Sequence, residues 1–123
     1  MNKNYEIKIS NQNVLIKFSG DIDDSVCPIY KEEISSQIKV NKNKDFIFDF
    51  KNVTFIDSSG IGFILGRYNQ LKGYKKKLYV SNTNPQIKKL FKISGIYSIV
   101  SELNEEKEGI TLWIKWNLKL VQW

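Results

Sequence analysis

The run Asp45-Phe46-Ile47-Phe48-Asp49-Phe50 constrains this chain more than any other. So many large apolar residues in so short a run suit a buried strand in the middle of a sheet. A second extended piece, Val53 to Ile56, leads into Asp57-Ser58-Ser59-Gly60. Beyond it, Ile61, Ile64, Leu65, Tyr68 and Leu71 recur at the i, i+3, i+4, i+7 spacing of a helix. Lys72 falls in the expected last turn of that helix and Gly73 is its expected cap. A strand, a short polar turn and a helix therefore follow one another at the centre of the chain.

The flanks repeat the theme. Tyr5, Ile7 and Ile9 alternate with polar residues, as do Val14, Ile16 and Phe18, with Asn11-Gln12-Asn13 between them, which predicts a β-hairpin. Gly20-Asp21-Ile22-Asp23-Asp24-Ser25 is expected to break the second strand, with Ser25 as helix cap and Pro28 in the first turn. Ile29 or Tyr30, Ile34 and Ile38 continue that helix to about Val40, and Asn41 to Lys44 is a loop. Leu78 to Val80 reads as a strand. Asn84-Pro85 caps and opens a third helix, whose stripe is Ile87, Leu90 and Phe91 and whose stop is Gly95. Ile96 to Val100 is expected as a last short strand. The order ββαβαβαβ predicts one α/β domain, a mixed sheet of about four or five strands with helices packed on it. The 123 residues suffice for one such core.

Several function classes are set aside by what is missing. There is no histidine, and Cys27 is the single cysteine. Disulfides within the chain, Cys/His zinc sites and imidazole-dependent triads are thereby excluded. A lone cysteine fits a reducing compartment, and a cytoplasmic protein is expected. No apolar run is long enough to span a membrane, and Met1 to Ser10 is polar and alternating, unlike a signal peptide. Net charge is +6, but residues 58–101 hold seven lysines, one arginine and no acid. Lys75-Lys76-Lys77 and Lys88-Lys89 are read as solvated faces. That block could meet an acidic partner, yet Arg67 is the only arginine, and arginine is the usual reader of bases and phosphates. No direct nucleic-acid binding is expected.

The turn Ile56-Asp57-Ser58-Ser59-Gly60-Ile61-Gly62 is the most informative site. Unpaired N–H groups and the positive end of the helix dipole gather at such a junction, so a hydroxyl there can carry a phosphate. Gly60 and Gly62 would keep the surface low for another protein's approach. The plainer reading is that Asp57, Ser58 or Ser59 merely caps the helix. Gly60-x-Gly62-x-x-x-Gly66 has one residue too many for a dinucleotide fingerprint and lacks the downstream acid, and no Walker loop is present. Asp21-x-Asp23-Asp24 could bind Mg²⁺ or accept a phosphoryl group, could form part of a docking surface, or could be a polar turn ahead of a helix. Cys27 would be activated only if its pKa were lowered; a small partly buried residue is the plainer reading.

The run Asp57-Ser58-Ser59-Gly60-Ile61-Gly62-Phe63-Ile64-Leu65-Gly66-Arg67-Tyr68 resembles the signature of the STAS domain family, and within it the sporulation anti-sigma factor antagonists. Gly20-Asp21-Ile22-Asp23 is similar to the family's Gly-Glu-Leu-Asp turn, with Asp for Glu. Phe55-Ile56, Pro85, Lys88, Leu90-Phe91 and Ser94-Gly95-Ile96 extend the likeness over about residues 5–105. The resemblance implies a partner-switching regulator with no catalysis, cofactor or metal of its own. It implies that Ser58 is phosphorylated by an anti-sigma factor that is also a serine kinase. The unphosphorylated form would bind that factor and free the sigma factor, and a PP2C-type phosphatase would reverse the modification. Asp21, Asp23, Asp57, Ser59, Gly60, Ile61 and Gly62 would border the docking surface.

Two features depart from the family. The +8 block is unlike its weakly charged pattern. Residues 109–123 hold all three tryptophans and alternate like a strand, while Trp113, Trp116, Leu120 and Trp123 would also share a helix face. The expected division is a STAS domain over 1–108 and a divergent tail over 109–123. Other classes remain open on residues alone: a STAS scaffold in a general stress switch, a Mg²⁺-dependent phosphoryl-transfer enzyme using Asp21 and Asp23, or a nucleic-acid or membrane-surface binder built on the basic block and the tail.

Overall fold

The computed structural model describes residues 4–103. Two strands open it: β1, Tyr5–Ile9, and β2, Asn13–Ile22, antiparallel as the alternation predicts. Helix α1, Cys27–Val40, crosses to β3, Asp45–Ile56. Helix α2, Ser58–Gly73, leads to β4, Leu78–Ser81, and α3, Pro85–Ser94, leads to β5, Ser101–Leu103. The sheet order is β1-β2-β3-β4-β5, with every pair after the first parallel. The order never reverses, so right-handed crossovers place all three helices on one face. On that face, alternate strand residues such as Val14, Ile16, Phe18, Phe46, Phe48, Phe50 and Val80 meet Tyr30, Ile34 and Ile38 of α1, Phe63, Ile64 and Leu71 of α2, and Ile87 and Phe91 of α3. Phe18 is the hub, within 6.2 Å of the rings of Tyr5, Tyr30, Phe48, Phe50 and Phe63. A smaller cluster, Leu15, Ile47 and Leu103 with Tyr79, lies on the other side.

Several boundaries differ from the sequence reading. β2 is not broken at Gly20: that residue takes φ +75°, the ladder shifts register beside it, and pairing resumes at Asp21 with Phe55 and Ile22 with Ile56. The two expected extended pieces of β3 are one strand; Asp49 accepts a hydrogen bond from the Lys51 amide at 2.8 Å, and Asn52 pairs with Ser19. Ser25 does not cap α1, because its amide and hydroxyl both donate to Asp23 Oδ1 and the cap position falls to Val26. Gly73 is the last residue of α2, with Tyr74 as its cap. Ile96 to Val100 is not a strand: left-handed Gly95 stops α3, Ile96–Ser98 forms a 3₁₀ turn after it, and β5 starts later. Asn84 does cap α3, accepting from the Ile87 amide at 2.8 Å. The expected tail over 109–123 lies outside the described residues.

Candidate functional site

Two turns stand side by side at the C-terminal ends of β2 and β3. Ile22 pairs with Ile56, and the Asp57 amide donates to the Ile22 carbonyl at 3.3 Å. The chain then leaves β2 through Asp23-Asp24-Ser25 and leaves β3 through Asp57 into α2. The outer end of a parallel strand pair is where α/β folds commonly carry their sites.

Asp57 is the cap of α2. Its backbone is extended, and its carboxylate accepts from the Gly60 amide at 3.1 Å. The helix therefore starts at Ser58, whose side chain is exposed at the positive end of the dipole. Ser59 and Ile61 are half-buried and Gly62 is exposed. Gly60 has a different place from the one expected. It is buried under the helix, and a Cβ there would stand 2.5 Å from Ile56 Cγ2 and 2.9 Å from the Ile22 carbonyl oxygen. Gly60 seats α2 on the strand ends; it is not part of an outward-facing floor.

The carboxylates divide their work. Asp21 is exposed and accepts from the Thr54 hydroxyl at 2.6 Å, across the β2–β3 pair. Asp23 is held by Ser25, and that hydroxyl keeps its carboxyl below the usual range. Its bonded oxygen is turned toward Ser25 rather than Ser58. Asp21 and Asp23 thus take separate partners. Among the described residues, no group of three Asp, Glu, Cys or His side chains stands together as a metal site.

Cys27 reports the electrostatics of the place. Burial first, then the charges of Asp57, Asp23 and Asp24, together push its thiol up to about 11. The thiol is neutral and is not an activated nucleophile. The same shift shows that both turns project negative potential into one small region.

Behind Ser59 and Gly62 lies a groove of about 460 Å³ between α1 and α2. Its members Lys31, Phe63 and Arg67 were absent from the sequence-based site. Arg67 is only 7% exposed. The signal for it was present: Gly60, Phe63, Ile64, Arg67 and Leu71 recur at spacings of three and four, so Arg67 falls on the buried stripe.

The α/β module thus offers an exposed serine on the first turn of a helix, beside the turns that carry Asp23, Asp24 and Asp57. The STAS domain family model matches residues 4–109, and the chain belongs to that family. It is 26% identical to the anti-sigma F factor antagonist of Paenibacillus polymyxa, over 90% of this chain and 95% of that one. It is 28% identical to an anti-sigma-B factor antagonist of Staphylococcus aureus, over 88% and 98%. The fold matches solved structures of the anti-sigma factor antagonist SpoIIAA. The unphosphorylated form gives a TM-score of 0.70 at 21% identity, covering 90% of this chain and 97% of that one. The phosphorylated form gives 0.68 at 23%, covering 90% and 98%. Among the described residues, no helix is long and apolar enough to cross a membrane.

Proposed function

We propose that this chain is an anti-sigma factor antagonist controlled by phosphorylation of Ser58. The unphosphorylated form binds an anti-sigma factor that is also a serine kinase and thereby releases the sigma factor. Phosphorylation abolishes that binding, and a PP2C-type phosphatase restores it. The chain is substrate and binding partner, not catalyst. It works in the cytoplasm, on regulators of transcription and not on DNA.

The observation that carries the reading is the position of Ser58: exposed, first in α2, and flanked by the Asp57 cap and the Asp23 turn. A phosphate there adds about −1.5 to −2 charge. The helix dipole makes it tolerable to the fold. A docked partner meets it differently, because the dianion adds to potential that is already negative around Asp23, Asp24 and Asp57. It also fills the space beside Ser59, Ile61 and Gly62. A penalty of about 3 kcal/mol at one contact lowers affinity roughly a hundredfold. The surface changes its binding while the scaffold stays as it is.

Both sigma-F and sigma-B antagonists are among the relatives. The same switch serves a sporulation or a stress circuit, and the partner decides which. Titrating the purified anti-sigma factor of the same organism with unmodified protein, Ser58→Ala and Ser58→Glu tests the reading. Wild type and Ser58→Ala are expected to bind alike, with Ser58→Glu at least tenfold weaker. Equal binding by all three would remove Ser58 from the switch.

A further inference from the structure

We infer that the groove between α1 and α2 is a binding site for a small carboxylate with an apolar body, held by Arg67. The inference is independent of the Ser58 switch. Arg67 is more than nine-tenths buried, and its Nε and Nη1 have no hydrogen-bond partner among the described residues. Its guanidinium carbon lies 5.5 Å from the Phe63 ring centroid, so the cation rests on an aromatic face with those two nitrogens unpaired. Burial lowers the pKa of Arg67, yet a guanidinium stays charged at neutral pH. A buried cation without an acceptor is costly unless something completes it. The acid-free stretch 58–101 leaves α2, β4 and α3 with no carboxylate to offer.

The groove has the size and chemistry for the missing anion. Its volume of about 460 Å³ is in the usual range of small-molecule sites, roughly 300–1,000 Å³. Two glycines open it. A Cβ at Gly62 or Gly66 would meet nothing within 4 Å, in contrast to Gly60. Neither glycine is required by packing, so both leave the groove wider than a side chain would. Pro28, Phe63 and the neutral thiol of Cys27 give apolar wall. Lys31, Arg67 and Asp24 all line it, one net positive charge, which suits a monoanion better than a phosphate dianion. A planar guanidinium fork also matches a carboxylate edge.

The test is a ¹⁵N NMR titration of the full chain with sodium hexanoate, with hexylamine and inorganic phosphate as separate arms. Hexanoate is expected to give saturable shifts at the Gly62 and Gly66 amides and at Arg67 Nε–H. Arg67→Gln should weaken it at least tenfold. Gly66→Leu, which fills the groove and keeps the Arg67 side chain, should abolish binding in a folded protein. The proposal is overturned if those resonances do not move, if hexylamine or phosphate moves them equally, or if Gly66→Leu binds hexanoate as wild type does. It is also overturned if Arg67→Gln leaves hexanoate binding intact but weakens the anti-sigma factor complex. That last result would assign Arg67 to an acidic side chain of the protein partner. The titration contains no kinase, so its failure leaves the Ser58 reading standing.

Discussion

Gly60 decides how close Ser58 comes to the sheet. With a methyl group only 2.5 Å from Ile56 Cγ2, the first turn of α2 would have to lift off the strand ends. Gly60→Ala is expected to cost about 1–3 kcal/mol by overpacking, read as a lower denaturant midpoint at unchanged slope. It should also weaken the anti-sigma factor complex, since Ser58 and Asp57 move with the turn. Asp57→Ala removes the one side-chain cap of α2 and should cost about 1 kcal/mol in the same measurement. Ser58 and Asp57 were legible as a pair, because a polar turn between an apolar strand and a helical stripe has few other uses. The side of the helix that Gly60 faces was harder to read. A glycine three residues past a cap can face out or in, and only the stripe it shares with Phe63, Arg67 and Leu71 tells which.

Among the elements, β5 is the shortest strand, and it is fastened by polar groups. Glu102 accepts from Thr83 at 2.6 Å and from Tyr97, and pairs with Lys88 at 2.6 Å. This ties β5 to α3, to the 3₁₀ turn and to the end of β4. Burial pushes the Glu102 carboxyl up, but the bonds from Lys88, Thr83 and Tyr97 outweigh it and hold the carboxyl below its usual value. A carboxyl with a lowered folded-state pKa contributes stability that is complete above its unfolded value. That contribution is lost as pH falls through the folded value. Glu102→Gln should therefore destabilise the domain by about 1–3 kcal/mol at pH 7, and the gap to wild type should close in acid. Denaturant melts at a series of pH values below 7 make the comparison; a gap that does not narrow as the pH falls would mean that charge is not what matters there. The network was invisible in the sequence, because Thr83, Lys88, Tyr97 and Glu102 follow no period. The same holds for the end of β2. Gly20 and the acids after it look like a break, and only pairing with β3 carries the strand past them. By contrast, α3 was plain from Asn84-Pro85 and Gly95, which act locally.

At the scale of the whole fold, the described residues form one packed mount for the site. Helices α1 and α2 are locked onto the sheet by the ring cluster around Phe18 and Phe63. Ser58 stands on this packed scaffold, so phosphorylation should act at the surface alone. Backbone amide shifts between the two forms are expected to concentrate in residues 21–25 and in the first turn of α2, with β4, α3 and β5 unmoved. Widespread shifts across the sheet would replace a surface switch with a conformational one. The α/β architecture was legible because period 2 and period 3.6 alternate cleanly along the chain. The groove at Arg67 was not, because the apolar stripe of Ile61, Ile64, Leu65, Tyr68 and Leu71 passes Arg67 by, and only its spacing from Gly60, Phe63 and Leu71 puts it on the buried side.

Intact-mass spectrometry after incubation with ATP and the cognate anti-sigma kinase tests the central claim most directly. A single added phosphate is expected on the wild-type chain and none on Ser58→Ala, with the variant still bound to the kinase. A phosphate on Ser58→Ala, or none on a wild-type chain held by an active kinase, would contradict it.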